Sequence, residues 1–318
     1  MSIFKLRVAA IAVLAPRIRQ LTLESIDGAP LPAYTPGAHI ELHVPQADRQ
    51  VPLHRAYSLV SPYGDGARFE IAVQLEPEGS GGSRWVHSLQ VGDEVTASAP
   101  ENLFELAADA SSFMLFAGGI GITPVLCMAR MLSAQGRPFE LHYSARDPQC
   151  AAYHEEVAAM AGGRCWFDGG DPTRGAPLEQ VIGTPRPGCH VYVCGPKPYI
   201  AAVLETAARL GWAEAQLHCE LFSGVLDEAG DRPFVVELTG SGVTLQVPVG
   251  KSVMDVMEEA GLDPMFDCRR GECGICVAKV VEGEADHRDI CLSSRERDEG
   301  GFCTCVSRAR SERLVLEI

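Results

Sequence analysis

Three cysteines near the C-terminal end follow the pattern C-x4-C-x2-C, in the segment CRRGECGIC of residues 268–276. They are Cys268, Cys273 and Cys276. Thiolates at this spacing bind plant-type 2Fe-2S clusters, which require a fourth cysteine from elsewhere in the chain. Cys305 is the preferred fourth ligand because it begins a strand-like run well beyond the loop. Cys303 is the first alternative and Cys291 the second.

The glycines between these cysteines favour a cluster. Gly271 and Gly274 would allow positive φ angles and would let backbone N–H groups approach sulfur. A zinc site of this kind usually shows two C-x2-C pairs, and the segment contains only one. Six of the twelve cysteines fall between residues 268 and 305, and this clustering indicates ligand chemistry in a reducing compartment. The pattern therefore favours iron–sulfur over zinc, disulfides or unliganded thiols.

A second segment with chemical potential is AGGIGITP, residues 117–124, which joins a buried strand to a helix. Its glycines would allow a tight turn and a close approach of a pyrophosphate to the helix N-terminus. These glycines are Gly118, Gly119 and Gly121. Thr123 is predicted to cap the helix, and Pro124 suits the first helical turn. The segment departs from G-x-G-x-x-G, so it does not define a dinucleotide site on its own.

Two more strand ends are predicted at the same sheet edge, where open α/β sheets bind ligands. One strand ends in CGP, which comprises Cys194, Gly195 and Pro196. The other ends in HYSARDP, with Ser144 followed by two charged residues. Asp147 would suit the free ribose hydroxyl of NADH, whereas Arg146 would suit the 2′-phosphate of NADPH. These residues alone leave the choice of nucleotide open.

The segment HRAYSL, residues 54–59, offers a cation, an aromatic ring and a hydroxyl. Arg55 could bind a phosphate, Tyr57 could cover a flavin ring, and Ser58 could hydrogen-bond near the reactive ring nitrogen. The later segment GSGGSRW could present backbone N–H groups and a hydroxyl to a phosphate, from Gly81, Gly82 and Ser83. The alternatives are a packed Arg–Tyr pair and an ordinary hairpin turn.

The elements that must position these residues change along the chain. Residues 1–104 alternate apolar and polar residues between turn signals, which predicts a small antiparallel barrel. From residue 112, strands alternate with helices, which predicts a doubly wound α/β domain. After a polar linker at 226–232, a hairpin and a short helix precede the cysteine loop. Ser252 is predicted to begin that helix and Gly261 to end it.

The net charge of −15 argues against a nucleic-acid partner. No run of 18 apolar residues predicts a transmembrane helix. The N-terminal residues resemble a signal peptide, but the short run and the alternation after Pro16 better predict two strands joined by a turn. We therefore expect a cytoplasmic protein without membrane attachment.

The segments CRRGECGICVAKVVEGEADHRD and CTCVSRA resemble the C-terminal ferredoxin domain of the phthalate dioxygenase reductase family, which includes vanillate demethylase reductases. The resemblance extends over the whole chain. It implies an FMN-binding antiparallel β-barrel domain at 1–106 and a doubly wound α/β nicotinamide domain at 107–225. A linker at 226–232 and an α+β, β-grasp 2Fe-2S ferredoxin domain at 233–318 would follow.

The same resemblance implies roles for the flavin-site residues. The flavin would contact Arg55, Tyr57, Ser58, Gly81, Gly82 and Ser83, and the backbone of residues 71–74, including Ala72 and Val73. Ser58 and Phe222 would lie at the reactive part of the flavin, with simple core packing as the alternative for Phe222. The domain order resembles that of members that use FMN rather than FAD, and the habit of the family favours NADH.

The implied function is electron transfer. A hydride from NADH would reach FMN, and single electrons would pass through the 2Fe-2S cluster to a terminal Rieske-type oxygenase. One alternative is an NAD(P)H-dependent reductase for another one-electron acceptor, such as a cytochrome or a separate ferredoxin. The other is a non-catalytic redox sensor. Arg269 and Arg270 are expected either to contact carboxylates of the partner or to lie in a solvated loop.

Overall fold

A computed structural model describes residues 3–45, 53–64, 66–77, 79, 81–222 and 230–318. The chain divides into two compact units, Met1–Glu220 and Leu221–Ile318. Residues 226–229 of the predicted linker lie outside the described residues. Within the described part of the chain, no helix has the length and apolar character needed to span a bilayer.

The first part of unit 1 is a six-stranded antiparallel sheet. Its strands are β1 (Ile3–Ala15), β2 (Ile18–Ser25), β3 (His39–Val44), β4 (Leu53–Ser58), β5 (Arg68–Gln74) and β6 (Glu94–Ser98). Their order is β4-β3-β6-β1-β2-β5, and a bridge between Leu59 and Ile71 joins the two edges into a barrel. The predicted pair of strands joined at Ala15 and Pro16 is thus observed as β1 and β2.

Apolar alternation directs the barrel side chains inward. Leu6 and Val8 of β1 and Leu21 and Leu23 of β2 are fully buried in one core. Helix α1 (Gly82–Ser88) lies between β5 and β6. The all-β prediction for residues 1–104 was therefore wrong at this segment, where the glycine-rich sequence gave no helix signal.

The second part of unit 1 is a five-stranded parallel sheet of order β11-β10-β7-β8-β9. Its strands are β7 (Ser112–Gly118), β8 (Phe139–Ala145), β9 (Gly163–Phe167), β10 (Cys189–Cys194) and β11 (Leu217–Glu220). The helices are α2 (Ile122–Ala134), α3 (His154–Ala159), α4 (Leu178–Ile182) and α5 (Lys197–Arg209). The central strand β7 is buried from Phe113 to Gly118, as its continuous apolar sequence predicts.

The barrel and the parallel sheet share a hydrophobic core. Ala72 of the barrel belongs to the same buried cluster as Ile122 and Leu126 of α2. The guanidinium of Arg130 pairs with the Glu156 carboxylate at 2.7 Å and donates to the Val60 carbonyl at 3.2 Å. One partly buried cation thereby connects two helices of the sheet to the barrel.

Unit 2 contains a five-stranded mixed sheet of order β13-β12-β18-β14-β16 and a two-stranded sheet. The strands are β12 (Phe234–Leu238), β13 (Val243–Val247), β14 (Val277–Glu282), β15 (Ala285–Asp286), β16 (Gly301–Cys303), β17 (Arg308–Ala309) and β18 (Arg313–Glu317). The helices are α6 (Val253–Glu259) and α7 (Ser294–Asp298). Ser252 caps α6 by accepting from the Asp255 N–H at 3.0 Å, and Gly261 follows its end with φ 76°, as predicted.

Candidate functional site

The cysteine loop of unit 2 lies between α6 and β14, and it wraps its backbone around one sulfur. The N–H groups of Arg270, Glu272 and Cys273 each lie 3.4 Å from the Sγ of Cys268. Three donors on one sulfur stabilise a thiolate more than a neutral thiol. The loop therefore directs three backbone donors at the Cys268 sulfur.

Backbone conformations with positive φ make this loop possible. Gly271 has φ 77° and Gly274 has φ 73°, as predicted, and Arg269 has φ 52°. A Cβ at Gly271 would lie 2.6 Å from Val306 Cγ2 and 2.9 Å from the Asp289 Cα, so only glycine fits there. A positive φ is uncommon for a residue other than glycine, and the Arg269 side chain makes two contacts. Its guanidinium pairs with Glu258 and lies 3.8 Å from the Phe266 ring centroid.

The sulfur atoms that close the site come from the end of the chain. Cys305 follows β16, and its Sγ lies 3.2 Å from the Sγ of Cys276. Cys303 instead has its Sγ 3.3 Å from that of Cys291, close to the Asp289 carboxylate. Cys276 and Cys305 are both buried, and hydrogen bonding with the Cys303 and Cys305 side chains lowers the pKa of Cys276 to about 3.

This donor set fits a 2Fe-2S cluster. Cys268, Cys273 and Cys276 share the loop, and the Cys305 sulfur lies next to that of Cys276. Soft thiolates of this number and spacing suit iron–sulfur chemistry. The separate pairing of Cys303 with Cys291 favours Cys305 as the fourth ligand, although Cys303 also approaches Cys276. The ligand assignment remains a prediction.

The two arginines of the loop are not a free cationic pair. Arg270 has a side chain only 14% exposed, and its Nε lies 3.1 Å from the Glu272 carboxylate. Glu272 is also buried and accepts the Leu221 N–H at 2.7 Å. Arg270 thus does not lie in a solvated loop, and Arg269 is paired with Glu258. Contact of these arginines with partner carboxylates stays a prediction.

A buried ionic network behind the loop was missed from the sequence. Arg308 is 1% exposed; its Nη2 donates to the Arg232 and Pro248 carbonyls at 3.0 and 3.2 Å, and its Nε lies 3.6 Å from Asp231. Arg288 also pairs with Asp231 and with Asp286. Both arginines belong to the quoted segments ADHRD and VSRA. The sequence signal that could have indicated this network was the presence of two arginines in strand-like segments of a small domain.

The barrel residues predicted for flavin phosphate and ring come together. A Cβ built on Gly82 would lie 2.7 Å from Arg55 Cγ and 3.4 Å from the Tyr57 hydroxyl, so these three residues are neighbours. Burial raises the pKa of Tyr57 to about 12, although the Arg55 charge opposes this, and the phenol stays neutral. Burial also lowers the pKa of Arg55 from its ordinary value. A phosphate beside Arg55 would meet a cation that is half withdrawn from water.

Two other predicted flavin residues, Gly81 and Ser83, lie at the turn where α1 begins. Gly81 precedes α1 with φ 104°, a conformation that favours glycine. The Ser83 hydroxyl accepts the Glu76 N–H at 3.0 Å and lies 3.4 Å from the Glu76 carbonyl, so it supports this turn. The alternative of a simple hairpin turn is wrong, because the segment begins a helix.

Ser58 ends β4 and is 5% exposed, and Ala72 and Val73 on the paired edge β5 are also buried. The two β5 residues could therefore meet a cofactor only through backbone atoms, as the sequence analysis expects. Phe222 is 37% exposed and belongs to unit 2, so simple core packing does not describe it. The roles of these four residues remain predictions.

The predicted nicotinamide residues meet at the carboxyl edge of the parallel sheet. A Cβ at Gly121 would lie 2.5 Å from the Cys194 carbonyl carbon, and one at Gly195 would lie 2.9 Å from the Gly118 Cα. A Cβ at Gly118 would also press on Pro196 and Tyr199. Glycines thus let the ends of β7 and β10 touch. Gly119 has φ 54° and no atom within 4 Å of its added Cβ, so it borders open space.

Thr123 is not the helix cap that the sequence analysis predicted. A 3-10 turn, Gly119–Gly121, precedes α2, and Gly121 occupies the cap position. Thr123 therefore lies inside the first turn, where its hydroxyl donates to the Ile120 carbonyl at 3.0 Å. Pro124 lies in the first turn, as expected. The early turn moves the start of the helix before the threonine.

The residues after β8 are placed near this edge. The Ser144 hydroxyl lies 3.3 Å from the Tyr199 hydroxyl. Asp147 accepts the Cys150 N–H at 3.0 Å and so caps a 3-10 turn, Pro148–Cys150, while Arg146 is exposed. Cys194 is fully buried, with its Sγ 3.9 Å from Glu220. The geometry thus gives Asp147 a structural partner and leaves the choice of nucleotide to experiment.

Comparison with known proteins agrees with this architecture. A family model described as the 2Fe-2S iron-sulfur cluster binding domain matches residues 236–310. The chain is 39% identical over 317 residues to the vanillate O-demethylase oxidoreductase of Pseudomonas sp. (strain HR199 / DSM 7063), covering 98% of both chains. It is 36% identical over 320 residues to the phthalate dioxygenase reductase of Burkholderia cepacia, covering 99% of this chain and 97% of that one.

A solved structure of phthalate dioxygenase reductase, described as a modular structure for electron transfer from pyridine nucleotides to [2Fe-2S], matches with TM-score 0.76 and 35% identity. The match covers 100% of this chain and 98% of that chain. Barrel, parallel sheet and cysteine loop together define an electron-transfer oxidoreductase that uses flavin and a 2Fe-2S cluster. The chain belongs to the phthalate dioxygenase reductase family. The predicted family, fold class and enzyme class are confirmed.

Proposed function

We propose that this chain is the reductase component of a two-component oxygenase system. It takes a hydride from NADH onto FMN and passes single electrons through a 2Fe-2S cluster to a terminal Rieske-type oxygenase. The observation that carries the proposal is one chain with a glycine-lined sheet edge, an Arg–Tyr pair in a barrel and a loop of three thiols that a fourth, Cys305, approaches. Its relatives carry names of vanillate demethylase and phthalate dioxygenase reductases.

The residues of unit 1 bind and orient. Gly118, Gly121 and Gly195 let the ends of β7 and β10 pack closely, and Gly119 borders open space, where a pyrophosphate could approach the N-terminal end of α2. Arg55 supplies a cation for the flavin phosphate, and Tyr57 supplies a neutral flat ring. No general acid or base is required of the protein, because hydride transfer is the chemistry of the bound cofactors.

The residues of unit 2 hold the electron outlet. Cys268, Cys273, Cys276 and Cys305 are the proposed iron ligands, and three backbone N–H groups stabilise the charge on Cys268. When bound, the flavin would accept two electrons together, and the iron–sulfur cluster would release them singly. The domain order supports FMN, and the family supports NADH. We place the protein in the cytoplasm because six of its twelve cysteines cluster in one segment, and such clustering suits ligand chemistry in a reducing compartment.

The cofactor content can be tested on the purified chain. We expect about one flavin and about two irons with two sulfides per chain, by flavin extraction and by iron and sulfide analysis. Anaerobic addition of NADH should bleach the flavin and cluster absorption. A colourless protein that contains zinc would overturn the proposal, and FAD in the extract would correct the flavin alone.

The acceptor needs a separate experiment. NADH oxidation should reduce a purified Rieske oxygenase and should also reduce cytochrome c, whereas a redox sensor would reduce neither at a catalytic rate. Reduction of cytochrome c or a ferredoxin but of no Rieske oxygenase would favour the alternative acceptors. If NADPH supported turnover at an equal or lower KM, the NADH assignment would be wrong.

A further inference from the structure

Unit 2 carries a groove of about 280 Å³ with an exposed apolar lining. Four large apolar side chains in this lining face solvent: Met265 is 77% exposed, Ile275 50%, Ile318 49% and Val277 41%. Leu238, Met257 and Ala278 are buried residues of the same lining. We call this feature the cluster-side groove. Apolar side chains gathered in one concavity are typical of an interaction site, whereas scattered ones need no explanation.

The groove lies against a proposed cluster ligand. Ile275 and Val277 are the chain neighbours of Cys276, and Cys276 itself contributes to the lining. A protein seated in the groove would therefore touch the residue through which the cluster is held. Electron transfer weakens steeply with distance, so an acceptor must dock close to the cluster. The cluster-side groove meets this requirement.

Charge near the groove indicates the kind of partner. Asp263 lines the groove and Asp267 precedes the first cysteine of the loop. The loop cation Arg269 is already paired with Glu258 and lies over the Phe266 ring. Residues 227–318 carry nineteen acidic against eleven basic side chains, and the whole chain has net charge −15. A basic rim on the partner would complement this surface.

We propose that the cluster-side groove is the docking site of the electron-accepting protein. That protein would present an apolar side chain beside its own redox centre, surrounded by Lys or Arg residues that face Asp263 and Asp267. The proposal rests on the proposed function, because it assumes that electrons leave through the cluster. It assigns the contact to Met265, Ile275, Val277 and Ile318 rather than to the arginines of the loop.

The test compares a double variant in the groove with a control variant on the same strand. Val277 lies in the groove, whereas Val281, also on β14 and 59% exposed, is not part of the lining. With cytochrome c as a basic acceptor, we expect the double variant Met265→Ser/Val277→Thr to raise the KM for cytochrome c about tenfold, with kcat retained. Val281→Thr should leave KM unchanged. Asp263→Asn should raise KM at low salt and less at high salt.

Two further measurements separate the possible failures. Rapid mixing with NADH, in the absence of cytochrome c, should reduce the cluster equally fast in the wild type and in the double variant. A slower rate in the variant would mean that the groove serves transfer within the chain, and it would overturn the proposal. An unchanged KM for cytochrome c would also overturn the proposal. Sedimentation that showed self-association of the wild type, and its loss in the double variant, would overturn it too, because the groove would then bind a second copy of the chain. If NADH never reduced the wild-type cluster, the proposed function itself would fail.

Discussion

The two compact units prepare their sites in different ways. In unit 2 the proposed ligands are side chains, and a buried ionic network involving Asp231, Arg288 and Arg308 lies behind them. In unit 1 the proposed nucleotide contacts are backbone atoms at the edge of a sheet, where glycines allow close packing of the strand ends. Side-chain ligation therefore depends on residue identity, whereas backbone recognition depends on the absence of side chains. Variants should damage each unit by its own route.

Loss of a ligand in unit 2 should have the largest effect. We expect Cys305→Ala to lose most of the iron and sulfide and the visible cluster absorption, because three thiolates cannot complete the four-thiolate set. Flavin content should persist, since the Arg55 and Tyr57 pair belongs to unit 1. Metal analysis, absorption and electron paramagnetic resonance of the reduced protein measure these outcomes.

Cys303→Ala is the matched control, two residues away. It should retain iron and sulfide, because the Cys303 thiol pairs with Cys291. If Cys303→Ala lost the cluster and Cys305→Ala kept it, the assignment of the fourth ligand would be reversed. Loss in both variants would show that the two positions are needed together.

The ionic network should give the next largest effect, again confined to unit 2. Arg308→Met removes the donor to the Arg232 and Pro248 carbonyls and one of the two arginines paired with Asp231, all in a buried setting. We expect the free energy of unfolding of unit 2 to fall by about 3 kcal/mol. Bleaching of cluster absorption in denaturant follows unit 2, while tryptophan fluorescence follows unit 1, which holds Trp85, Trp166 and Trp212.

Arg310→Ala is the control for this experiment. Arg310 pairs with Asp286 at 3.5 Å, but its side chain is 67% exposed, so its loss should change the same midpoint by less than about 1 kcal/mol. A parallel shift of the tryptophan transition in Arg308→Met would contradict the separation between the units. Equal effects of the two variants would contradict the importance of burial.

Substitution of a glycine at the sheet edge should destabilise unit 1 and leave unit 2 unchanged. In Gly121→Ala the new Cβ would press on the Cys194 carbonyl carbon, and the ends of β7 and β10 would have to separate. Overpacking of this kind costs about 2 kcal/mol, so the tryptophan transition should move while cluster bleaching stays constant. NADH should also bind more weakly, as a titration of flavin reduction would reveal.

Gly64→Ala serves as the control, because its added Cβ meets no atom within 4 Å and its φ is not positive. It should leave both transitions and NADH affinity unchanged. A normal NADH affinity in Gly121→Ala would place the nucleotide away from this strand end. That result would contradict the contrast between backbone recognition in unit 1 and side-chain ligation in unit 2.

The same contrast explains what the sequence could predict. Cysteine ligands are visible because thiolate chemistry fixes both residue type and spacing, and the positive φ of Gly271 and Gly274 follows from that loop. The Thr123 cap was wrong because a 3-10 turn, set by local competition between hydrogen bonds, begins the helix earlier. The partners Asp231 and Arg308 lie far apart in sequence, and no local periodicity joins them.

The smallest effect concerns pH and belongs to unit 1. His218 of β11 stacks on Tyr192, and its Nε2 lies 2.9 Å from the Nδ1 of His190 on β10. Burial and the nearby His190 lower the pKa of His218 to about 4, although Asp109 opposes the shift. The unfolded chain takes up this proton near pH 6.5, whereas the folded chain takes it up only near pH 4. The contribution of neutral His218 to folding stability is thus fully present above pH 6.5 and is lost as pH falls towards 4.

We therefore expect the tryptophan-monitored free energy of unfolding to fall by about 2 kcal/mol or less across this window, after allowance for partial exposure. His218→Gln should flatten the pH dependence between pH 6.5 and pH 4, because glutamine cannot take up the proton in either state. An unchanged slope in His218→Gln would show that other groups carry the acid sensitivity. Cluster bleaching in denaturant, followed at the same pH values, would show whether this loss of stability is confined to unit 1.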